Sequence, residues 1–86
     1  MSPTLLIQDG FRFGFYLSDL KEPPHVHVHG SSGVAKVWLQ PVGLEYAKGL
    51  TQAETQRILR TVRQHQSAFL KAWKMYLSRE GPELDR

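Results

Sequence analysis

The chain has 86 residues, of which 41% are hydrophobic, and it carries a net charge of +3 and no cysteine. This length predicts one small domain over residues 1–86. The lack of cysteine excludes disulfides and thiolate metal sites. No apolar run approaches the ~20 residues that cross a membrane. No signal peptide is visible, so we expect a cytoplasmic protein of bacterial type without a membrane partner.

The first half of the chain carries strand signals. Leu5-Leu6-Ile7 is a short apolar run, and Asp9-Gly10 is a typical hairpin turn. The alternating phenylalanines that begin at Phe11 predict a second strand, which extends to Leu17 and has one buried face. Residues 18–24 are predicted to form a loop.

The most informative stretch is PPHVHVHG, residues 23–30. Two prolines favour an extended backbone. Histidine then alternates with valine, which predicts a half-buried strand to about Val28. His25, His27 and His29 therefore share one face, with roughly 6.6 Å between successive residues of that face. Three of the four histidines of the chain lie here, which makes the strand a candidate site.

Two further strands and a helical half complete the pattern. The turn at residues 30–33 predicts an antiparallel hairpin between the histidine strand and residues 34–39, and residues 42–46 are a candidate edge strand. Thr51 and Glu54 form a capping-box signature. Apolar residues then recur at helical spacing from about residue 52 to 79. Polar residues interrupt the apolar stripe at 64–67, which predicts a kink or short break.

These elements predict an α+β fold. A small antiparallel sheet of three to five strands, at about residues 4–46, is expected to pack against one or two C-terminal helices at about 52–79. Gly81-Pro82 ends the helical part. Residues 80–86 are expected to form a loose tail.

The helical half is markedly basic, since Glu54 is the only acidic residue between Thr51 and Arg79. A basic surface suits an anionic partner such as nucleic acid or an acidic protein, and an ordinary solvated helix face is about as good an interpretation. The basic residues that we regard as binding candidates are Arg57, Arg60, Arg63, Lys71 and Lys74.

The PPHVHV stretch resembles a family of small bacterial proteins described as domain of unknown function 4160. Ala35, Gly49-Leu50, and His65 followed eight residues later by Trp73 extend the resemblance, which covers about residues 10–78. Two positions depart from the family pattern: Thr61 stands where members often carry Trp, and Ala72 where they often carry Asn. The residues that the pattern marks are Pro24, His25, His27, His65 and Trp73.

The resemblance implies a function class. Members are typically encoded beside another small protein, in pairs that look like type II toxin–antitoxin modules. This chain would be the toxin, and a small antitoxin protein encoded nearby would be its partner. The implied fold and partner are expectations at this point.

Two kinds of chemistry suit the histidine strand. A His-x-His pair on one face can hold a zinc-type ion. The third ligand would come from Asp19, Glu22, His29 or His65, but nothing in the sequence places these residues within reach, so we assign no metal ligand and no cofactor. Two histidines can also act as general base and general acid on a phosphodiester, as RNA cleavage requires. The arginines of the helical half could then hold the phosphate.

A purely structural role is the alternative for each of these residues. Histidines in a strand can be plain hydrogen-bonded residues. We favour a functional role for His25 and His27 and a solvent-exposed, non-functional position for His29. Trp73 is weighed as a binding residue, but it lies on the apolar stripe, which favours the core.

The leading hypothesis is a toxin that acts on RNA or on a host protein, with His25, His27 and His65 as catalytic candidates. A histidine-dependent ribonuclease is the enzymatic form of this hypothesis. The alternatives are a non-enzymatic module that binds protein or nucleic acid and a small metal-binding protein. The sequence leaves the oligomeric state open.

Overall fold

The computed structural model describes residues 4–80, and side chains for residues 4–78. Five strands form one antiparallel sheet in chain order, and two helices follow, as the sequence predicts. The expected tail lies outside the described residues, apart from Glu80 at the end of the second helix. The elements are β1 (Thr4–Gln8), β2 (Phe11–Gly14), β3 (His25–His29), β4 (Val34–Leu39), β5 (Val42–Lys48), α1 (Gln52–Gln64) and α2 (Gln66–Glu80).

Tight turns set the register of the strands. Asp9 and Gly10 have positive φ angles of 55° and 81°, which suits the type I′ turn that an Asp-Gly pair favours. The histidine strand β3 pairs with β4 in the predicted hairpin, in which His25 lies opposite Trp38 and His27 opposite Lys36. The candidate edge strand is present as β5.

The segment between β2 and β3 differs from the prediction. β2 ends at Gly14 rather than at Leu17, and residues 17–21 form a 3₁₀ helix, Leu17–Lys21, rather than an irregular loop. Gly14 offers no side chain for packing in a strand. Phe15 leaves the sheet and joins a second apolar cluster with Leu20 and Trp73. Burial of Leu20 therefore holds the 3₁₀ helix against the rest of the fold.

The helices cover one face of the sheet. Val26 and Val28 of β3 are buried in a cluster that includes Ile58 and Val62 of α1 and Phe69 of α2. Because side chains alternate along a strand, the histidines of β3 lie on the opposite face. The shared histidine face that the alternation predicts is confirmed by this register.

The helical half follows the sequence signals closely. Thr51 Oγ1 accepts a hydrogen bond from the Glu54 backbone N–H at 3.0 Å, and Glu54 Oε1 accepts one from the Thr51 backbone at 2.8 Å. The predicted break falls at His65, between α1 and α2. Within the described helices, none is long and apolar enough to span a membrane. Leu77 recurs at the helical spacing of the apolar residues, yet its side chain is 44% exposed, whereas the polar Thr61 is buried.

Candidate functional site

The 3₁₀ helix places an acid over the histidine face of β3. Asp19 Oδ2 lies 2.8 Å from His27 Nε2 and 3.2 Å from His25 Nε2. The Asp19 backbone N–H donates to the Tyr16 carbonyl at 2.9 Å, which fixes the start of this turn. These three side chains, Asp19, His25 and His27, form what we call the histidine–carboxylate cluster. Their ligand atoms all lie within 4.8 Å of one another.

His25 is the rigid member of the cluster. Its side chain has no exposed surface, and its ring centroid lies 5.1 Å from that of Trp73 and 5.5 Å from that of Trp38. His25 Nδ1 lies 3.0 Å from the Pro23 carbonyl oxygen. Since a carbonyl oxygen only accepts hydrogen bonds, Nδ1 carries a hydrogen and Nε2 faces Asp19. The ring orientation is therefore fixed from both ends.

His27 is the accessible member. Partial burial lowers the pKa of His27 from its ordinary value of 6.5, and this effect outweighs the opposing hydrogen bond with Asp19. His27 is therefore neutral at pH 7, with an unprotonated nitrogen available. Within residues 4–78, Nδ1 of His27 has no hydrogen-bond partner. The imidazole can thus accept a proton on one nitrogen while Asp19 orients the other.

Asp19 is ionised at neutral pH. Burial alone would raise the pKa of its carboxyl group, but the hydrogen bonds with His27 and His25 together outweigh burial and lower the pKa below 3.8. The cluster therefore combines a carboxylate with a neutral imidazole of His27. Such a pair is the usual way to orient a histidine for proton transfer.

A pocket of about 230 Å³ opens beside the cluster on the same face of the sheet. It is smaller than the ~300–1,000 Å³ of sites for drug-sized ligands, and its size and polarity suit a small anionic group such as phosphate. Arg12 lies opposite His29 in the β2–β3 pairing, and the Tyr16 hydroxyl is 3.2 Å from His29 Nε2. The lining residues are Thr4, Arg12, Gly14, Phe15, Tyr16, His27 and His29.

An ion pair borders the cluster on the β4 side. Lys36 Nζ donates to Glu22 Oε1 at 2.9 Å, and this hydrogen bond raises the pKa of Lys36. Glu22 Oε1 also lies 3.9 Å from His25 Nδ1. The ammonium group lies 4.7 Å from the ring centroid of Trp38, whose indole N–H donates to Glu45 at 2.8 Å. Each charge near the buried histidine thus has an opposite charge or a ring beside it.

The structure does not bring His65 together with His25 and His27. His65 lies at the break between the helices, with its ring 5.9 Å from that of Phe69, and Phe69 packs on the valine face of the sheet.

Trp73 is 2% exposed, in agreement with the core interpretation, and its ring packs against Phe15, with 5.0 Å between the ring centroids. Its contact with His25 makes it a support of the cluster rather than a surface for a ligand.

The basic residues of the helices lie apart from the pocket. Ile58 and Val62 turn one side of α1 towards the sheet, so the exposed arginines lie on the side that faces away from it. Among residues 4–78, none of these basic side chains forms a salt bridge. The exposed residues of this basic helical surface are Arg57, Arg60, Arg63, Lys71 and Lys74.

Sequence reasoning does not identify the whole site. It indicates Asp19 only as a metal ligand, because the fold of the 3₁₀ helix, which carries Asp19 back over β3, has no clear sequence signal. Arg12 had a usable signal, since it alternates with Phe11 and Phe13 in a predicted strand and must face away from the core. His29 was expected to be a plain exposed residue, yet it lines the pocket.

Fold and site together define a small α+β protein with a histidine–carboxylate cluster on the face of its sheet opposite to α1. The sequence profile of a family described as domain of unknown function (DUF4160) matches residues 10–74. The chain belongs to this family. Comparisons with curated proteins and with solved structures found no match.

Proposed function

We propose that this protein is the toxin of a two-protein toxin–antitoxin module and that it acts by cleaving RNA. The observation that carries the proposal is the pocket, in which His27, oriented by a carboxylate, and His29 lie beside Arg12. The family resemblance supports the toxin role, because members are typically encoded beside a second small protein.

The base in this reaction is His27. The Nε2–H of His27 donates to Asp19 Oδ2 at 2.8 Å. Nδ1 of His27 is therefore left to accept the proton of a ribose 2′-hydroxyl. The 2′-oxygen then attacks the adjacent phosphorus and the bond from phosphorus to the 5′-oxygen breaks. The products are a 2′,3′-cyclic phosphate and a free 5′-hydroxyl, so neither water nor an oxidant is consumed.

The acid is His29, which gives a proton to the departing 5′-oxygen. Residues two apart on one strand face are separated by about 6.6 Å, so His27 and His29 can flank a phosphate held between them. Arg12 is the cross-strand neighbour of His29, and its guanidinium supplies the positive charge that stabilises the extra negative charge of the transition state. His25 is a positioning residue, since it is fully buried and, among the described residues, its hydrogen-bonding contacts are with Asp19 and Pro23.

The test is RNA cleavage and growth inhibition by the full chain in metal-free buffer. Loss of a general base typically costs about 10²–10⁴-fold in rate, so His27→Gln should remove cleavage and toxicity while the circular dichroism spectrum stays unchanged. His65→Gln is the matched comparison, because it makes the same substitution on the other side of the sheet, and it should retain both activities. Cleavage that survives in folded His27→Gln would refute the assignment.

A non-enzymatic binding module is the second candidate function. The observation that favours it is the basic helical surface, whose five cations have no acidic partner among the described residues. Such a surface suits an acidic protein or a nucleic acid. If the wild-type chain neither cleaves RNA nor inhibits growth, this candidate takes precedence.

A further inference from the structure

Three ligand atoms converge at the histidine–carboxylate cluster. Asp19 Oδ2 is 2.8 Å from His27 Nε2 and 3.2 Å from His25 Nε2, and the three atoms fit within 4.8 Å. In a tetrahedral zinc site with bonds of ~2.0–2.1 Å, neighbouring ligand atoms lie about 3.3 Å apart. Both distances from Asp19 Oδ2 differ from this spacing by about 0.5 Å or less, so small side-chain shifts would bring this oxygen and either nitrogen to the spacing that a metal ion requires.

The hydrogen bonds of His25 indicate a cation at this point. Nδ1 donates a hydrogen bond to the Pro23 carbonyl at 3.0 Å, so in the neutral ring Nε2 carries a lone pair and no hydrogen. That lone pair faces Asp19 Oδ2, a second acceptor, at 3.2 Å in a fully buried position. Two facing acceptors repel each other unless a hydrogen or a cation lies between them. A metal ion bound by both atoms would remove this repulsion.

We propose that Asp19, His25 and His27 bind one divalent transition-metal ion of the zinc class. Two imidazoles and one carboxylate are a donor set that zinc favours, with one tetrahedral position left for water, whereas Mg²⁺ and Ca²⁺ prefer all-oxygen sites. A single metal ion would account for the convergence of all three atoms on one point.

The surroundings of the cluster match those of metal-binding histidines. A ligating histidine usually donates its other N–H to a carbonyl or carboxylate, which fixes its orientation. The Pro23 carbonyl has this role for His25. The rings of Trp38 and Trp73 hold His25 in place, so little conformational freedom is lost on binding. Lys36 is the nearby opposing charge, and Glu22 offsets it through an ion pair of 2.9 Å.

Metal binding does not depend on the proposed function, but it has a consequence for it. An imidazole that binds metal through Nε2 keeps its hydrogen on Nδ1. His27 then has no free nitrogen with which to accept the proton of a ribose hydroxyl. If the proposed function is right, a saturating metal suppresses RNA cleavage, and this site regulates the toxin.

The experiment titrates the chelator-stripped full chain with ZnCl₂ by calorimetry and with CoCl₂ by visible absorption, at pH 7.5. We expect one equivalent to bind, with the intense absorption of tetrahedral Co²⁺. Asp19→Asn and His27→Gln should each weaken binding by more than about ten-fold, because each removes a ligand. These two positions are preferred to His25, since a change at a fully buried ring can unfold the chain. His65→Gln, which removes a histidine outside the cluster, should bind as wild type does.

Equal affinity in wild type, His27→Gln and His65→Gln would overturn the inference, as would the absence of saturable binding by the wild type. Cleavage assays on the same chelator-stripped proteins, before any metal is added, separate the two proposals. Metal binding without any cleavage leaves the metal site standing and refutes the ribonuclease. Cleavage without metal binding refutes the metal site alone.

Discussion

At the scale of the residue, His25 is the most constrained polar group of the described chain. It has no exposed surface and touches three aromatic rings, those of His27, Trp38 and Trp73, with centroids 5.0–5.5 Å away. A buried polar side chain is tolerated only when its hydrogen-bonding groups are paired. Pro23 and Asp19 supply the two partners. The paired prolines before the strand thus do more than extend the backbone, because one of them provides the carbonyl that fixes the ring.

The lowered pKa of His27 predicts a loss of stability on acidification. Partial burial depresses this pKa below 6.5, so below that pH the unfolded chain binds more protons than the folded chain. The contribution of neutral His27 to the free energy of unfolding is therefore complete above pH 6.5. This contribution is lost as the pH falls through the folded pKa of His27. Asp19, with a pKa lowered from 3.8, adds a second decrease at still lower pH.

Urea unfolding in chelator-treated buffer at pH 8.0, 6.5 and 5.5 measures this effect. His27→Gln cannot titrate at this position and should reduce the difference in unfolding free energy between pH 8.0 and 5.5. The other histidines are common to both proteins, so the difference between the two pH profiles reports His27 together with its effect on Asp19. An identical pH dependence in the two proteins would contradict the depressed pKa.

At the scale of the element, the site depends on the 3₁₀ helix, which brings Asp19 to the histidines of β3. The histidine face was predictable from alternation alone, since a period of two leaves no other arrangement. The acid that completes the cluster was not predictable, because Asp19 reaches β3 only when Leu20 is buried with Phe15 and Trp73. That contact joins residues far apart in the sequence. Local patterns gave the strands, the hairpin and the break at His65, whereas the site depends on a long-range contact.

The cap of α1 offers a direct measure of how local signals stabilise this fold. Thr51→Ala removes the side-chain acceptor for the Glu54 N–H, a bond of 3.0 Å. Loss of such a cap typically costs about 1 kcal/mol, within a range of roughly 0.5–2 kcal/mol. Urea unfolding at pH 8.0 should show this decrease without a change in RNA cleavage.

Thr55→Ala is the matched control for the cap. It removes a threonine hydroxyl one turn later, which within the described part of the chain donates to the Thr51 carbonyl at 3.0 Å. Alanine has the higher helix propensity, so the unfolding free energy should change by less than about 0.5 kcal/mol. A loss equal to that of Thr51→Ala would mean that the cap contributes nothing specific.

At the scale of the whole molecule, the sheet separates two surfaces of different chemistry. The pocket and the histidine–carboxylate cluster lie on one face, and α1 covers the other with its arginines turned outward. Under the proposed function, RNA enters at the first surface, and the basic helical surface is free to anchor an acidic antitoxin. A partner anchored there must reach around the sheet to block the pocket. Anchoring and catalysis should therefore respond to different substitutions.

Charge reversal on α1 tests this separation. Arg57→Glu with Arg60→Glu should leave RNA cleavage intact, because both residues face away from the pocket. Under the proposed function, the double variant should weaken co-purification with the antitoxin, taken as the product of the neighbouring reading frame. Interactions between exposed charges are screened by salt, with a Debye length of about 10 Å at 0.1 M. The deficit should therefore be largest at low salt and shrink as NaCl is added.

Lys48→Glu is the comparison for this double variant, because Lys48 lies on the edge strand β5 rather than on a helix. It should co-purify with the same product as wild type does. If the double arginine variant also retains full co-purification at low salt, the basic helical surface is an ordinary solvated face. If Lys48→Glu loses as much binding, the partner responds to net charge rather than to this surface. Only a loss confined to the α1 variant fits an antitoxin that docks on the helices.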